Sequence, residues 1–154
     1  MSPANNLGYL IQHVAAVMAK QADQLLQERI SLSLSQFKIL MVLQKNPQVQ
    51  QRFIAESLGQ TEASISRQIQ LLKDKGLLTS KRNPLNLRKH VTTPTAKGEE
   101  LTERAMKLLS EGFGDAYTAI GSDAVNQLLS SLHALHDEVC QPGKQGACDH
   151  HFKT

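Results

Sequence analysis

The chain has 154 residues, 40% of them hydrophobic and only 4% aromatic, with no Trp and a formal net charge of +3. Such a chain forms one domain, or one domain with a long helical extension, and favours a helical core of Leu, Ile, Val and Ala over an aromatic-rich sandwich. No stretch reaches the roughly 18 apolar residues of a membrane span, and the apolar segment Leu7–Ala19 has no Lys or Arg ahead of it and contains Gln12 and His13, unlike a secretory signal.

A helix of a cytoplasmic chain without a membrane partner is expected there instead. Leu7, Leu10, Ile11, Val14, Met18, Leu25 and Leu26 recur mostly at spacings of three and four, which predicts a long amphipathic helix over residues 7–29. Ser33 and Gln36 form a capping-box pattern at the head of a second helix carrying Phe37, Leu40, Met41 and Leu43. Asn46-Pro47 should end it. A short third helix follows from about residue 50 to Leu58, closed by Gly59. Thr61 then caps a fourth helix that ends at Gly76. "LLTSKR", "NPLN" and "RKHVTT" read as strand, turn and returning strand. A long helix is expected from Thr95 to about Ile120, loosened near Gly112 and Gly114. Gly121-Ser122 reads as a break with a cap, before a last helix from Asp123 to about Val139 and a terminal tail.

The middle of this order has the logic of a helix-turn-helix. Ala55 is small where two helices cross, Gly59 permits the turn, and Ile65, Ile69 and Leu72 form a stripe to pack on Ile54 and Leu58. That packing turns Ser64, Arg67, Gln68 and Leu71 to the other side. The front of such a second helix suits the DNA major groove, where Arg matches guanine, Gln matches adenine, and Ser or Thr bonds a base or phosphate. The helix N-terminus adds phosphate affinity. Arg82, Arg88 and Lys89 bracket the hairpin tip, from which long cations can reach a phosphate or the minor groove. Between Thr61 and Thr92 stand seven bases against two acids, a local +5 that leaves −2 for the rest of the chain. A basic patch on an otherwise acidic chain fits phosphate binding, although a solvated charged face has the same composition.

The segments "LGYLI", "LSLSQFKILMVL", "IAESLGQTEASISRQIQLLKDKGLL" and "RNPLNLRKHVTTPTAKG" together resemble the multiple antibiotic resistance regulator (MarR) family. The resemblance covers nearly the whole chain except its tail. It implies a mainly α fold: a winged helix-turn-helix with a two-stranded β hairpin wing, flanked by N- and C-terminal dimerisation helices. The expected division is 1–32 for the first dimerisation helix, 33–94 for the DNA-binding domain, 95–140 for the last helices and 141–154 for the tail. The family's DNA-binding roles carry to Thr61, Ser64, Ser66, Arg67 and Gln68 on the recognition helix, with Ser66 alternatively facing inward. On the wing they carry to Arg88, with Arg82 and Lys89 as helpers. Asn86 and Leu87 stand where the family has Asp and the first wing Arg, and Pro94 takes a usually apolar position. The orienting salt bridge of the wing is therefore lost or rebuilt. The resemblance also implies a homodimer on a palindromic double-stranded operator, its recognition helices about 34–36 Å apart. Repression by occluding a promoter, relieved by a ligand or oxidant, completes the expectation. No cofactor is required, and a small-molecule effector is expected near the junction of dimer helices and winged helix.

The end of the chain has a pattern of its own. His133, His136 and Cys140 share a helical stripe, and Cys148 follows on the tail, a set of zinc-ligand types. Cys140 and Cys148 are equally a candidate sensing disulfide. The favoured reading gives them no sensing role; of the other two, zinc stands ahead of the thiol switch. No phosphate loop, nucleophile elbow or His-Glu metalloprotease motif occurs, so no enzyme is expected. The competing class is a winged helix used for protein assembly.

Overall fold

The computed structural model describes residues 3–46 and 49–141, with the side chains of residues 3–5 and 87–90 left outside the description. The elements run α1 (Pro3–Ile30), α2 (Leu34–Lys45), α3 (Gln51–Leu58), α4 (Glu62–Asp74), β1 (Leu78–Asn83), β2 (Asn86–Pro94), α5 (Ala96–Ile120) and α6 (Ser122–Val139). Among the described residues no helix is long and apolar enough to cross a membrane.

Local chemistry sets most of these boundaries. The chain leaves α1 through Ser31, a non-glycine residue at φ 52°. It enters α2 through the expected box: Gln36 N–H donates to Ser33 Oγ at 3.0 Å, and Ser33 N–H to Gln36 Oε1 at 3.3 Å. Gly59, at φ 61°, supplies the left-handed turn after α3, which a side chain would strain. Thr61 Oγ1 accepts from Ser64 N–H and starts α4. Thr95 does two jobs at the head of α5: its Oγ1 accepts from Gly98 N–H and donates to the Gly76 carbonyl.

The core gathers Leu26 and Leu32, then Phe37, Ile39, Leu40 and Leu43 of α2, Ile54 and Ala55 of α3, and Ile65, Ile69 and Leu72 of α4. Leu77 and Leu78 at the root of the hairpin and Ala105 of α5 close it. Buried residues from either side of the expected divisions at 32 and 95 thus share one core. The hairpin is antiparallel, with Leu78 opposite Pro94 and Arg82 opposite His90.

Two expectations fail. Helix α5 is unbroken through Gly112 and Gly114. At Gly112 an added Cβ would lie 2.7 Å from Leu25 Cδ2, so this glycine lets α1 approach α5 closely instead of loosening the helix. The cap of α6 is not Ser122, which is already helical; Gly121, at φ 84°, holds the cap position and offers no side-chain acceptor.

Helix α6 contributes no buried residue. Its Leu128, Leu129, Leu132, Leu135 and Val139 are exposed, as are Leu7, Tyr9, Leu10, Val14 and Val17 of α1. Apolar surface concentrated on the two terminal helices contrasts with the closed centre.

Candidate nucleic-acid interface

Helix α4 lies across α3 with Ile65, Ile69 and Leu72 inward, as the stripe predicts. The opposite side forms an outward groove lined by Ser64, Arg67, Gln68, Gln70 and Leu71. Arg67 and Ser66 are exposed, which settles Ser66 on the solvent side, while Ser64 and Gln68 are half-buried. Thr61 is exposed, and its oxygen already serves the helix as a cap.

The half-buried members are held from behind by residues that sequence reasoning did not single out for the site. Ser64 Oγ donates to Gln60 Oε1 at 3.2 Å, and Gln60 Nε2 donates to Ser35 Oγ at 3.0 Å. Gln36 Nε2 donates to Gln68 Oε1 at 3.1 Å. Lys75 Nζ donates to the Ser31 carbonyl at 3.0 Å and to Gln36 Oε1 at 3.3 Å. One base of the patch, Lys75, therefore ties the end of α4 to the α1–α2 junction. The capping box marked Gln36 as a helix start, but its second partner lies 32 residues away, beyond any local signal.

The wing presents Arg82 on β1, exposed, beside an irregular register between Arg82 and Asn83. Asn83 Oδ1 accepts from Leu85 N–H at 2.9 Å and shapes the tip, where Leu85 is 95% exposed. An asparagine thus organises the tip locally. Arg88 and Lys89 lie on β2, and their side chains fall outside the described residues. At the hairpin base Ser80 and Thr92 share a hydrogen bond of 2.9 Å.

A second hollow of about 390 Å³ lies between α1, α2 and α5, with Met18, Leu34, Lys38, Leu109, Phe113 and Tyr117 on its walls. Its lining is mostly apolar, with the exposed Lys38, Ser110 and Tyr117 as its polar residues.

On α6, His133, His136 and Cys140 are half-buried, and His136 Nδ1 sits 3.4 Å from Asp137 Oδ1. Among the described residues no group of three or more His, Cys, Asp or Glu is placed to hold a metal. Cys148, the fourth member of the expected set, lies outside the described residues, as does the expected Cys140–Cys148 pair as a unit.

A family model described as "MarR family" matches residues 30–89, from the end of α1 through most of the wing. The HTH-type transcriptional regulator BilQ of Clostridium symbiosum is 29% identical over 113 residues, which are 73% of this chain and 77% of BilQ. The structure of the transcriptional repressor CouR bound to a 23-mer DNA duplex is 28% identical with a TM-score of 0.72, covering 84% of this chain and 91% of CouR. The CouR regulator is from Rhodococcus jostii. A MarR family protein of Mycobacterium tuberculosis in complex with p-aminosalicylic acid has the same fold at a TM-score of 0.72 and 22% identity, covering 84% of this chain and 97% of that one. With the helix order, the helix-turn-helix and the hairpin wing all in place, the chain has the winged-helix fold of MarR family regulators, and its residues 30–89 match that family's model.

Proposed function

We propose that this regulator binds double-stranded DNA in a sequence-specific manner, as a homodimer on a two-fold symmetric operator, and represses transcription in the cytoplasm. The observation that carries this reading is the outer groove of α4. Arg67 stands free for a base edge, while Ser64 and Gln68 are anchored from α2 and the α3–α4 turn, so the reading surface is ordered before DNA arrives. Preordering removes part of the entropy cost of docking. Thr61 and Ser66 at the front of α4 and Arg82 on the wing add phosphate contacts, and Arg88 and Lys89 on β2 are assigned the same role.

The apolar faces of α1 and α6 support the homodimer, because a second copy is the partner that supplies a matching apolar face under two-fold symmetry. Repression follows the relative CouR, itself a transcriptional repressor seen on DNA. The hollow beside Lys38 supports ligand control: a lysine on the rim of apolar and aromatic walls fits an aromatic carboxylate, the class to which the relative's p-aminosalicylic acid belongs. No cofactor is assigned, and the zinc or thiol reading of α6 and the tail remains the second proposal for how the protein senses its environment.

Selection of fragmented genomic DNA by the purified protein at about 150 mM salt tests the reading, since phosphate binding alone weakens there. Enrichment of a symmetric site, weakened in Arg67→Ala with the preference at one base position relaxed, is the expected result. Equal failure of both proteins, with and without zinc, would refute it in favour of a winged helix for protein assembly.

A further inference from the structure

Gln68 is free to face the groove in only one sense, and Gln36 decides which. A glutamine amide carries an acceptor oxygen and a donor NH2, and a free one can present either end. Gln36 is 7% exposed and has no such freedom. Its Oε1 receives Ser33 N–H at 3.3 Å and Lys75 Nζ at 3.3 Å, two groups that donate and never accept. Turning the Gln36 amide over would set its NH2 against both. Its Nε2 therefore faces α4 and donates to Gln68 Oε1 at 3.1 Å. Turning Gln68 over would set two NH2 groups against each other, at the cost of an unsatisfied half-buried donor. The relay of backbone, lysine and glutamine leaves Gln68 with its oxygen engaged toward α2 and its Nε2 as the end available to the groove.

We infer that Gln36 is a positioning residue that makes Gln68 a donor-only reader of the major groove, selecting guanine at its operator position. A free glutamine takes adenine by using both amide ends, oxygen to N6–H and nitrogen to N7. Here the oxygen is turned toward α2, away from the groove, so it does not reach adenine N6–H while the nitrogen bonds N7, and the adenine pairing is incomplete. Guanine offers two acceptors, N7 and O6, and matches an amide that only donates. Lys75 acts one step further back, by holding Gln36. The inference rests on the proposal that α4 reads DNA.

The test is selection from randomised duplexes by the full-length protein, Arg67→Ala, Gln68→Ala and Gln36→Glu. The operator position whose preference flattens in Gln68→Ala, but not in Arg67→Ala, is the one that Gln68 reads. There the wild type should prefer guanine over adenine by on the order of tenfold, the discrimination expected of one good pairing. Glutamate at position 36 keeps the capping box and still accepts from Ser33 and Lys75, yet it cannot donate to Gln68. Gln68 must then turn its NH2 toward α2 and its oxygen toward the groove, and the preference should pass to a base with an exposed amino group, adenine or cytosine. If Gln36→Glu fails to fold by circular dichroism, Gln36→Met releases the Gln68 amide and should level guanine and adenine. Adenine preferred by the wild type, guanine retained in the Gln36 variants, or no position that responds to Gln68→Ala would each overturn the inference while leaving the DNA-binding proposal standing. Absence of any enriched site for the wild type would overturn both.

Discussion

The carboxylate of Asp23, well inside α1, accepts the backbone N–H of Leu34 at 2.8 Å, eleven residues on and at the first turn of α2. A first-turn N–H has no partner within its own helix, and the positive end of the helix favours a negative group there. Asp23 thus caps α2 from a neighbouring helix and fixes the angle between the long terminal helix and the helix behind α4. Asp23→Ala should lower unfolding stability by about 1 kcal/mol, the usual loss for a removed cap. Because α2 holds Gln68 through Gln36, DNA affinity should fall as well. Urea unfolding and a DNA titration on the same preparation check both, and a variant with unchanged stability would refute the cap.

Gly98 should tolerate no side chain. An added Cβ would collide with the backbone carbonyl of Leu77, the residue that turns α4 into the wing. A backbone atom cannot swing aside as a flexible side chain can. Gly98→Ala should therefore cost roughly 1–3 kcal/mol, as overpacking does elsewhere. Gly114→Ala, with open space around its Cβ, is the control and should be neutral or slightly stabilising. Thermal unfolding of the two variants beside the wild type checks the contrast.

Arg67 and Arg82 should fail in different ways. Arg67 faces the α4 groove, so Arg67→Ala should cost about 1–3 kcal/mol on the operator and relax preference at one base position. Arg82 lies on the wing, so Arg82→Ala should weaken all sequences alike and reduce the salt slope by about 0.9 for each phosphate the wing no longer neutralises. Affinities measured at several salt concentrations separate the two, and equal slopes for wild type and Arg82→Ala would remove Arg82 from the interface.

Leu132, 40% exposed on α6, should be covered in the dimer. Leu132→Asp places an unpaired charge in that seam and should weaken association by at least about 2 kcal/mol. Sedimentation across a concentration series would show a monomer, and operator binding should fall with it. A wild-type protein that sediments as a monomer at high concentration would refute the homodimer outright.

Lys38 should carry ligand response. p-Aminosalicylic acid should reduce operator affinity of the wild type by about tenfold, a typical coupling between two sites, and Lys38→Met should lose that response while binding DNA normally without ligand. An equal response in both proteins would place any ligand elsewhere.

Much of this molecule was legible in its sequence because the signals are local. Ser33 with Gln36, Thr61, Gly59 and Thr95 act on backbone groups within a few residues, so a short window contains both partners. The periodic stripe of Ile65, Ile69 and Leu72 likewise fixes which side of α4 is buried, and so which side carries Arg67. Gly112 shows where that logic ends. A glycine's cost to a helix is local, but Gly112 also meets Leu25 of α1, a neighbour that no short window of sequence contains.

The sequence by itself determined the helix order, the hairpin and the outward face of α4, since each follows from periodicity, caps and turns along the chain. The tertiary structure decided which polar side chains remain available to a partner. Lys75 counts as one more cation in the sequence, yet its ammonium is bound to Ser31, 44 residues earlier. Gln68 counts as a free amide, yet Gln36 has engaged its oxygen. Hydrogen-bond capacity is consumed by whatever lies within about 3 Å, and across helices that neighbour is set by packing, which no window of sequence contains.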